Sequence, residues 1–203
     1  EGENDLSFLG FQSVNIENAS ITGLEFSVLG AGSFFGVNTN VLAGITYINP
    51  INIDQKNYAD SVIASDPSLT AEEIDSLEQT KILNFRFKTT FKINIDQSYE
   101  KFSWGVEARY NSFMENIDPF FEGNDPLIIY LFGKPTQFIP GVKEWREAHH
   151  HGDYVIDLRL SYHITDKIRF SFITKNTFNR EYTIRPALLE APRSYTAQVT
   201  VKI

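Results

Sequence analysis

His149, His150 and His151 lie within a few residues of Glu144, Glu147 and Asp153, and imidazole with carboxylate is a donor set that several transition ions accept. Adjacent side chains on an extended chain point to opposite sides, so three consecutive histidines rarely converge on one ion. A solvated loop tip entering a strand is the better reading, and neither a metal site nor a cofactor is expected. A second group of interest is charged: Arg86, Lys88, Lys92, Glu107, Arg109, Asp157 and Arg159 stand in otherwise apolar, alternating segments. They could line a solute path or neutralise one another along a wet wall, and mutual pairing is the plainer account. Thr70-Ala71-Glu72-Glu73 opens a Ser/Thr-x-x-Glu capping box, which predicts a short acidic helix carrying Glu72 and Glu73. That helix either touches a ligand or partner or merely orders its loop. The run Leu127–Phe132, flanked by Pro126 and Gly133, is either folded under a loop hairpin or exposed as a protein-contact patch. Leu127, Tyr130 and Trp145 join the two glutamates as candidate contact residues. No Gly-rich phosphate loop, nucleophile elbow or zinc-protease helix motif is present. No enzyme is expected.

The elements that position these residues follow from composition and period. The chain has 203 residues with Lys+Arg 18 against Asp+Glu 26, a net charge of −8 and a pI near 5.0. That balance argues against a grip on nucleic-acid phosphates, which needs clustered positive charge. Cysteine is absent, so disulfides, thiolate zinc sites and cysteine nucleophiles are excluded. Phe 17, Tyr 9 and Trp 2 coexist with a mean hydropathy of −0.23. No apolar run approaches the ~20 residues of a membrane-spanning helix. Glu1-Gly2-Glu3-Asn4-Asp5 has no basic or apolar leader character, so the chain reads as mature or as cut from something longer.

The dominant period is two. Tyr154, Ile156, Leu158, Leu160, Tyr162 and Ile164 alternate with Val155, Asp157, Arg159, Ser161 and His163. Phe85, Phe87, Thr89, Phe91 and Ile93 alternate with Arg86, Lys88, Thr90 and Lys92, and Phe102, Trp104, Val106, Ala108 and Tyr110 with Ser103, Gly105, Glu107 and Arg109. Tyr195, Ala197, Val199, Val201 and Ile203 repeat the rule at the end. Each segment therefore has one apolar and one wet face.

A soluble sandwich buries the apolar face against a second sheet, whereas an outer-membrane barrel turns it to lipid and the polar face to a wet lumen. Three features favour the barrel. The segments are of the ~9–11-residue kind that crosses a bilayer at a tilt. Their polar faces are charged. Aromatics (Tyr47, Phe102, Tyr110, Tyr154, Tyr162, Tyr195) gather toward segment ends, where headgroup girdles would sit. Strands are expected near 19–29, 37–48, 83–94, 102–115, 153–164, 168–179 and 192–203, with a weaker one near 6–14. Gly30–Gly36, Ile95–Lys101 and Thr165–Lys167 read as short turns, and Asn49–Ile82 and Asn116–Gly152 as long excursions. Short turns on one rim and long loops on the other is the outer-membrane pattern, and a final strand ending in the periplasm puts the long loops outside. On this reading Arg86, Lys88, Glu107, Arg109, Asp157 and Arg159 face the lumen.

Two stretches carry a family likeness. Asn15-Ile16-Glu17-Asn18-Ala19-Ser20-Ile21-Thr22-Gly23-Leu24-Glu25 resembles the N-x-x-x-A-x-I-x-G-x-E stretch in barrels of TonB-dependent outer-membrane receptors. Asn176 through Tyr182, Arg185-Pro186 and Ala191-Pro192-Arg193-Ser194-Tyr195 resemble the closing hairpin of such receptors, in particular those of the Bacteroidetes type. The last residue, Ile203, departs from the aromatic that commonly ends that family.

The resemblance implies an all-β transmembrane antiparallel barrel, with this chain supplying about the last seven or eight strands of a 22-stranded wall. Residues 1–203 then form the C-terminal portion of the barrel, with no plug domain among them. It further implies uptake of a scarce solute (a chelated metal, a glycan or a peptide) across the outer membrane of a Gram-negative bacterium. The implied partners are outer-membrane lipid, the remainder of the barrel and its plug, TonB, and an outer-membrane lipoprotein. A complete eight-stranded barrel is the architectural alternative. The functional alternative is a non-transporting barrel that scaffolds a larger outer-membrane assembly.

Overall fold

The structure, a computed structural model, describes residues 18–123, 126–137 and 139–202, with backbone only at 126–128. The expected weak strand at 6–14 lies outside the described residues, as does Ile203. The chain is mostly antiparallel β, 48% strand and 21% helix. Seven strands form one sheet in the order β1 (Ala19–Phe34), β2 (Val37–Asn52), β3 (Thr89–Tyr99), β4 (Phe102–Asn111), β5 (Asp153–His163), β6 (Ile168–Lys175) and β9 (Ser194–Val201). A small hairpin, β7 (Thr183–Arg185) and β8 (Leu188–Leu189), stands apart. Each strand pairs with its neighbour in chain order, β7 and β8 being skipped, so the sheet is a simple meander. Among the described residues it is not closed, and β1 and β9 are its edges.

The connections separate by rim. One rim has only tight turns: Phe35-Gly36, Glu100-Lys101 and residues 164–167. At Phe35-Gly36 both residues have positive φ (50° and 77°), the signature of a primed hairpin turn whose twist matches its strands. The opposite rim carries three excursions. The first holds α1 (Ile53–Ser65) and α2 (Ala71–Thr80). The second holds a 3-10 turn (Pro119–Glu122), α3 (Pro126–Phe132) and α4 (Val142–Ala148), and the third holds the β7–β8 hairpin.

Several strand boundaries differ from expectation, among them the end of β3, which runs past 94 to Tyr99. β1 runs on through Gly30–Phe34 and β2 through Asn49–Asn52, because the ladder from Ala19↔Asn52 to Phe34↔Val37 pairs the backbone along the whole of both strands. The strand expected from 83 begins at Thr89. Phe85 sits at φ 62°, and its N–H donates to Asn116 O while Leu83 N donates to Pro50 O. Those bonds draw Leu83–Phe87 out of the sheet despite its alternation. β4 ends at Asn111, not 115. β6 ends at Lys175, where Asn176 adopts φ 48° and turns the chain.

The register settles which residues share a face. Leu158 pairs with Val106, Val106 with Ile95, and Ile95 with Val41. Four residues along, Tyr162, Phe102 and Tyr99 align with Phe170 on β6. Toward the other rim, Tyr154, Tyr110, Phe91, Ile45 and Phe26 make a further row. Aliphatic rows thus lie between two aromatic ones, and this face is the open one: Leu158, Leu160 and Tyr162 are 37%, 47% and 50% exposed. On β5 the intervening Asp157 is 8% exposed. The partition loosens toward the β1 edge, where Leu29 and Leu42 share the polar face, and also at Ile173, which pairs with Arg159, and Gln97, which pairs with Trp104.

Most of the buried apolar side chains lie elsewhere. Ala59, Leu83, Met114, Ile117 and Val142 are all below a tenth exposed and belong to the long-connection rim, while Val155, 4% exposed, stands on the charged face of β5 opposite Arg109. Met114 and Ile117 follow β4 directly, and Asn116 ties this segment to the first excursion by donating from Nδ2 to Ile82 O at 2.7 Å. The long connections therefore form a cap with its own small core.

Candidate functional site: the charged face and the capped rim

The charged face is built by three neighbouring strands. Register places Lys92 opposite Arg109, Asn94 opposite Glu107 and Glu107 opposite Asp157. Opposite charges fall within reach across the ladder. Lys92 Nζ lies 3.2 Å from Glu107, and Arg109 bridges Asp157 at 3.0 Å and Glu107 at 3.7 Å. Arg159 reaches furthest. From β5 it crosses β4 and donates through Nη2 to Asn94 Oδ1 (2.6 Å) and Asp96 Oδ1 (2.8 Å) on β3. Gly105 makes that crossing possible: a Cβ there would stand 2.3 Å from Asp96 Oδ1 and 2.9 Å from Arg159 Nη2. The face is thus occupied by mutually paired charges, although the Arg109 Nε is buried without a hydrogen-bond partner.

Asn176 joins this network to the last long connection. It is 3% exposed, and its N–H donates to Asp157 Oδ1 at 2.7 Å. Its side chain donates to Arg180 O (2.8 Å) and Ala191 O (3.3 Å) and accepts from Arg180 N (2.9 Å). One asparagine therefore holds both ends of the 176–193 segment. Asn179 Oδ1 accepts from Arg193 N at 2.9 Å, and the Arg180 guanidinium lies 4.6 Å over the Tyr154 ring.

The candidate contact residues are spread over the cap. Glu72 and Glu73 lie in the first turn of α2, where the capping box is present as expected. Glu73 accepts from Thr70 N at 2.8 Å, and Thr70 Oγ1 accepts from Glu73 N at 3.3 Å. The Thr70 backbone N–H and then its hydroxyl, both donating to the Glu73 carboxylate, hold it below its usual range. α1 was not anticipated. It is tied to the end of α2 by Lys81–Asp60 at 2.7 Å. Lys81 is raised in pKa by Asp60 and then Glu78, and Asp60 is lowered by Lys56 and then Lys81.

Leu127–Phe132 is neither an apolar hairpin nor a plain loop but falls within α3. Tyr130 there is 84% exposed, and the Leu127 side chain lies outside the description. Trp145, on α4, is half-buried and stacks on His149 with ring centroids 4.1 Å apart. Arg86 and Lys88 do not stand on a strand, as the expected 83–94 strand required. Arg86 is exposed and bonds the neighbouring Phe85 O at 3.2 Å, while Lys88 pairs with Glu115 at 2.6 Å. Glu107, Arg109, Asp157 and Arg159 do share one sheet face.

Sequence reasoning missed the roles of Asp96, Asn94, Gly105 and Asn176. Asp96 continues the parity of Lys92 and Asn94, which would have identified it had the strand been carried past 94. Among the described residues no group of three or more His, Cys, Asp or Glu side chains is placed to hold a metal ion. His149 and His150 instead face backbone carbonyls, Trp145 O and Glu147 O, at 2.8 Å. No described helix is long and apolar enough to cross a membrane, which bears only on helical spans. What the arrangement offers chemically is a wet, charge-balanced wall on one face, an apolar surface on the other, and a structured cap at one rim. Comparison with protein-family models and with curated proteins gave no match for this chain.

Proposed function

We propose that this chain is a wall segment of an outer-membrane β-barrel of the TonB-dependent receptor type, with the apolar face in lipid, the charged face toward a wet lumen, and the cap outside the cell. The carrying observation is the two-faced sheet: rows of Leu, Val, Ile, Phe and Tyr stand open on one side, while on the other the charges pair with one another around a buried Asp157. A soluble sheet cannot leave so large an apolar face in water, and a bilayer accepts it. The open edges at β1 and β9 fit a segment, since backbone groups in lipid need partners on both sides. In this role the wall encloses the path of a scarce solute and the cap meets it first.

This chain has no cysteine, so labelling is read against the full protein without the added cysteine. Single cysteines are placed at Glu72 in the cap, Asp166 in a short turn and Leu158 on the apolar face of the full protein in cells. An impermeant maleimide should label Glu72→Cys on intact cells, Asp166→Cys only after the outer membrane is opened, and Leu158→Cys in neither state. Labelling of Leu158→Cys as readily as Glu72→Cys overturns the reading. Deleting Ala71–Gln79 should then lower solute uptake while leaving insertion intact.

A further inference from the structure

Between the chain leaving β4, helix α4 and the β7–β8 hairpin lies a cavity of about 220 Å³. Phe113, Met114, Val142, Trp145 and Leu188 give it a mostly apolar wall, and Asp153 lies at the start of β5 beside them. An apolar cavity of ~150 Å³ stays dry and accepts a benzene ring, so this one has room for a ring with a short substituent. His149 and Arg180 act on the Asp153 carboxylate from a distance without bonding to Oδ1, and Arg146, the arginine in the wall, is already committed. Arg146 donates from Nε to Glu122 at 2.7 Å, and its guanidinium lies 4.6 Å over the Phe113 ring.

Two polar atoms in the wall are not committed. Trp145 Nε1 and Asp153 Oδ1 are both buried without a hydrogen-bond partner, although the Thr183 backbone N–H bonds the Asp153 carboxylate. Leaving such atoms unpaired is costly, and native proteins seldom do so without a reason. Both are covered by protein at rest. A ligand that offers the carboxylate a donor offsets the side-chain rotation needed to reach it.

We propose that this cavity binds a compact ring-bearing amine, the ring against Trp145, Phe113 and Val142 and the ammonium toward Asp153. The site rests on the geometry of the cap alone and goes beyond the membrane reading. Trp104 stands on the open sheet face opposite Gln97 and Leu160, so Trp104→Phe in the full protein leaves Trp145 as the reporter in this chain. Tryptophans elsewhere in the full protein are matched by a Trp145→Phe blank.

The titration uses toluene, benzylamine and methylamine. Toluene and benzylamine should shift Trp145 emission saturably, benzylamine binding about tenfold tighter as a charged hydrogen bond to Asp153 predicts. Methylamine, lacking the ring, should not compete. Asp153→Asn should bring benzylamine to the affinity of toluene, and Val142→Phe, which fills the space, should abolish both. No saturable shift in the Trp104→Phe protein overturns the site. So does methylamine competing as well as benzylamine, or a benzylamine preference that survives Asp153→Asn. The titration reads only the cavity, so its failure leaves the cysteine-labelling result standing.

Discussion

The sheet and the cap sort their side chains by opposite rules. In the cap, Ala59, Leu83, Met114, Ile117 and Val142 are buried while Glu72 and Tyr130 face outward, as in any protein folded in water. In the sheet, Leu158, Leu160 and Tyr162 are open while Asp157 is buried among hydrogen bonds. Both regions obey the same physics, since apolar surface is placed where water is not. The difference is what lies outside. On the proposed reading the chain meets two solvents, and this contrast supports that reading more than any single residue does.

The contrast can be broken most forcefully in the cap. Ile117→Ala removes a side chain that is 4% exposed and should cost ~2–5 kcal/mol locally, read as faster amide exchange over 112–118 in the full protein. Leu158→Ala on the open face should cost far less. Similar costs at both positions would mean that the two regions bury apolar groups alike.

Next in size is the cost of charge. On the proposed orientation, Leu158→Arg near the bilayer middle should lose ~2–4 kcal/mol in unfolding from lipid, and Ser161→Arg much less. Equal losses would remove the distinction between the faces. Asn176→Ala tests the seam between sheet and connection. It deletes three side-chain hydrogen bonds at a residue with positive φ, and a loss of ~1–3 kcal/mol is expected. Its signature is proteolysis within 176–193 with the remaining strands protected, and an unchanged cleavage pattern would refute the seam.

The smallest effect belongs to the cap surface. Thr70→Ala should cost ~1 kcal/mol, confined to α2 by amide exchange. Because Glu73 is held below its ordinary value of 4.5, its support of the helix is complete above that pH and lost as the pH falls through the depressed folded value. Acid fraying of α2 that is equally steep in the Thr70→Ala protein would contradict the capping box.

How much of this was legible varied with the kind of interaction. β5 was expected at 153–164 and spans Asp153–His163, because its two faces differ at nearly every position. The capping box at Thr70 was equally plain, since its partners are three residues apart. Leu83–Phe87 misled, because its alternation is that of a strand while bonds to Pro50 and Asn116, distant in sequence, decide its path. The roles of Gly105 and Asn176, both named from the sequence, were hidden for the same reason. A glycine in a strand declares nothing until the side chain that crosses it is known, and an asparagine hub is defined by carbonyls four and fifteen residues away.

The vacancy over Gly105 has a consequence for assembly. Arg159, lying across one strand to grip the next, can reach Asn94 and Asp96 only when three strands stand in one alignment. Slippage of β4 by a single residue brings a side chain under the guanidinium and turns Glu107 to the opposite face. A mispaired sheet would then carry an unneutralised arginine on one side and a stray carboxylate on the other. The arginine therefore acts as a checkpoint that lets through only strands zipped in the native order, and the missing side chain is the keyhole it checks.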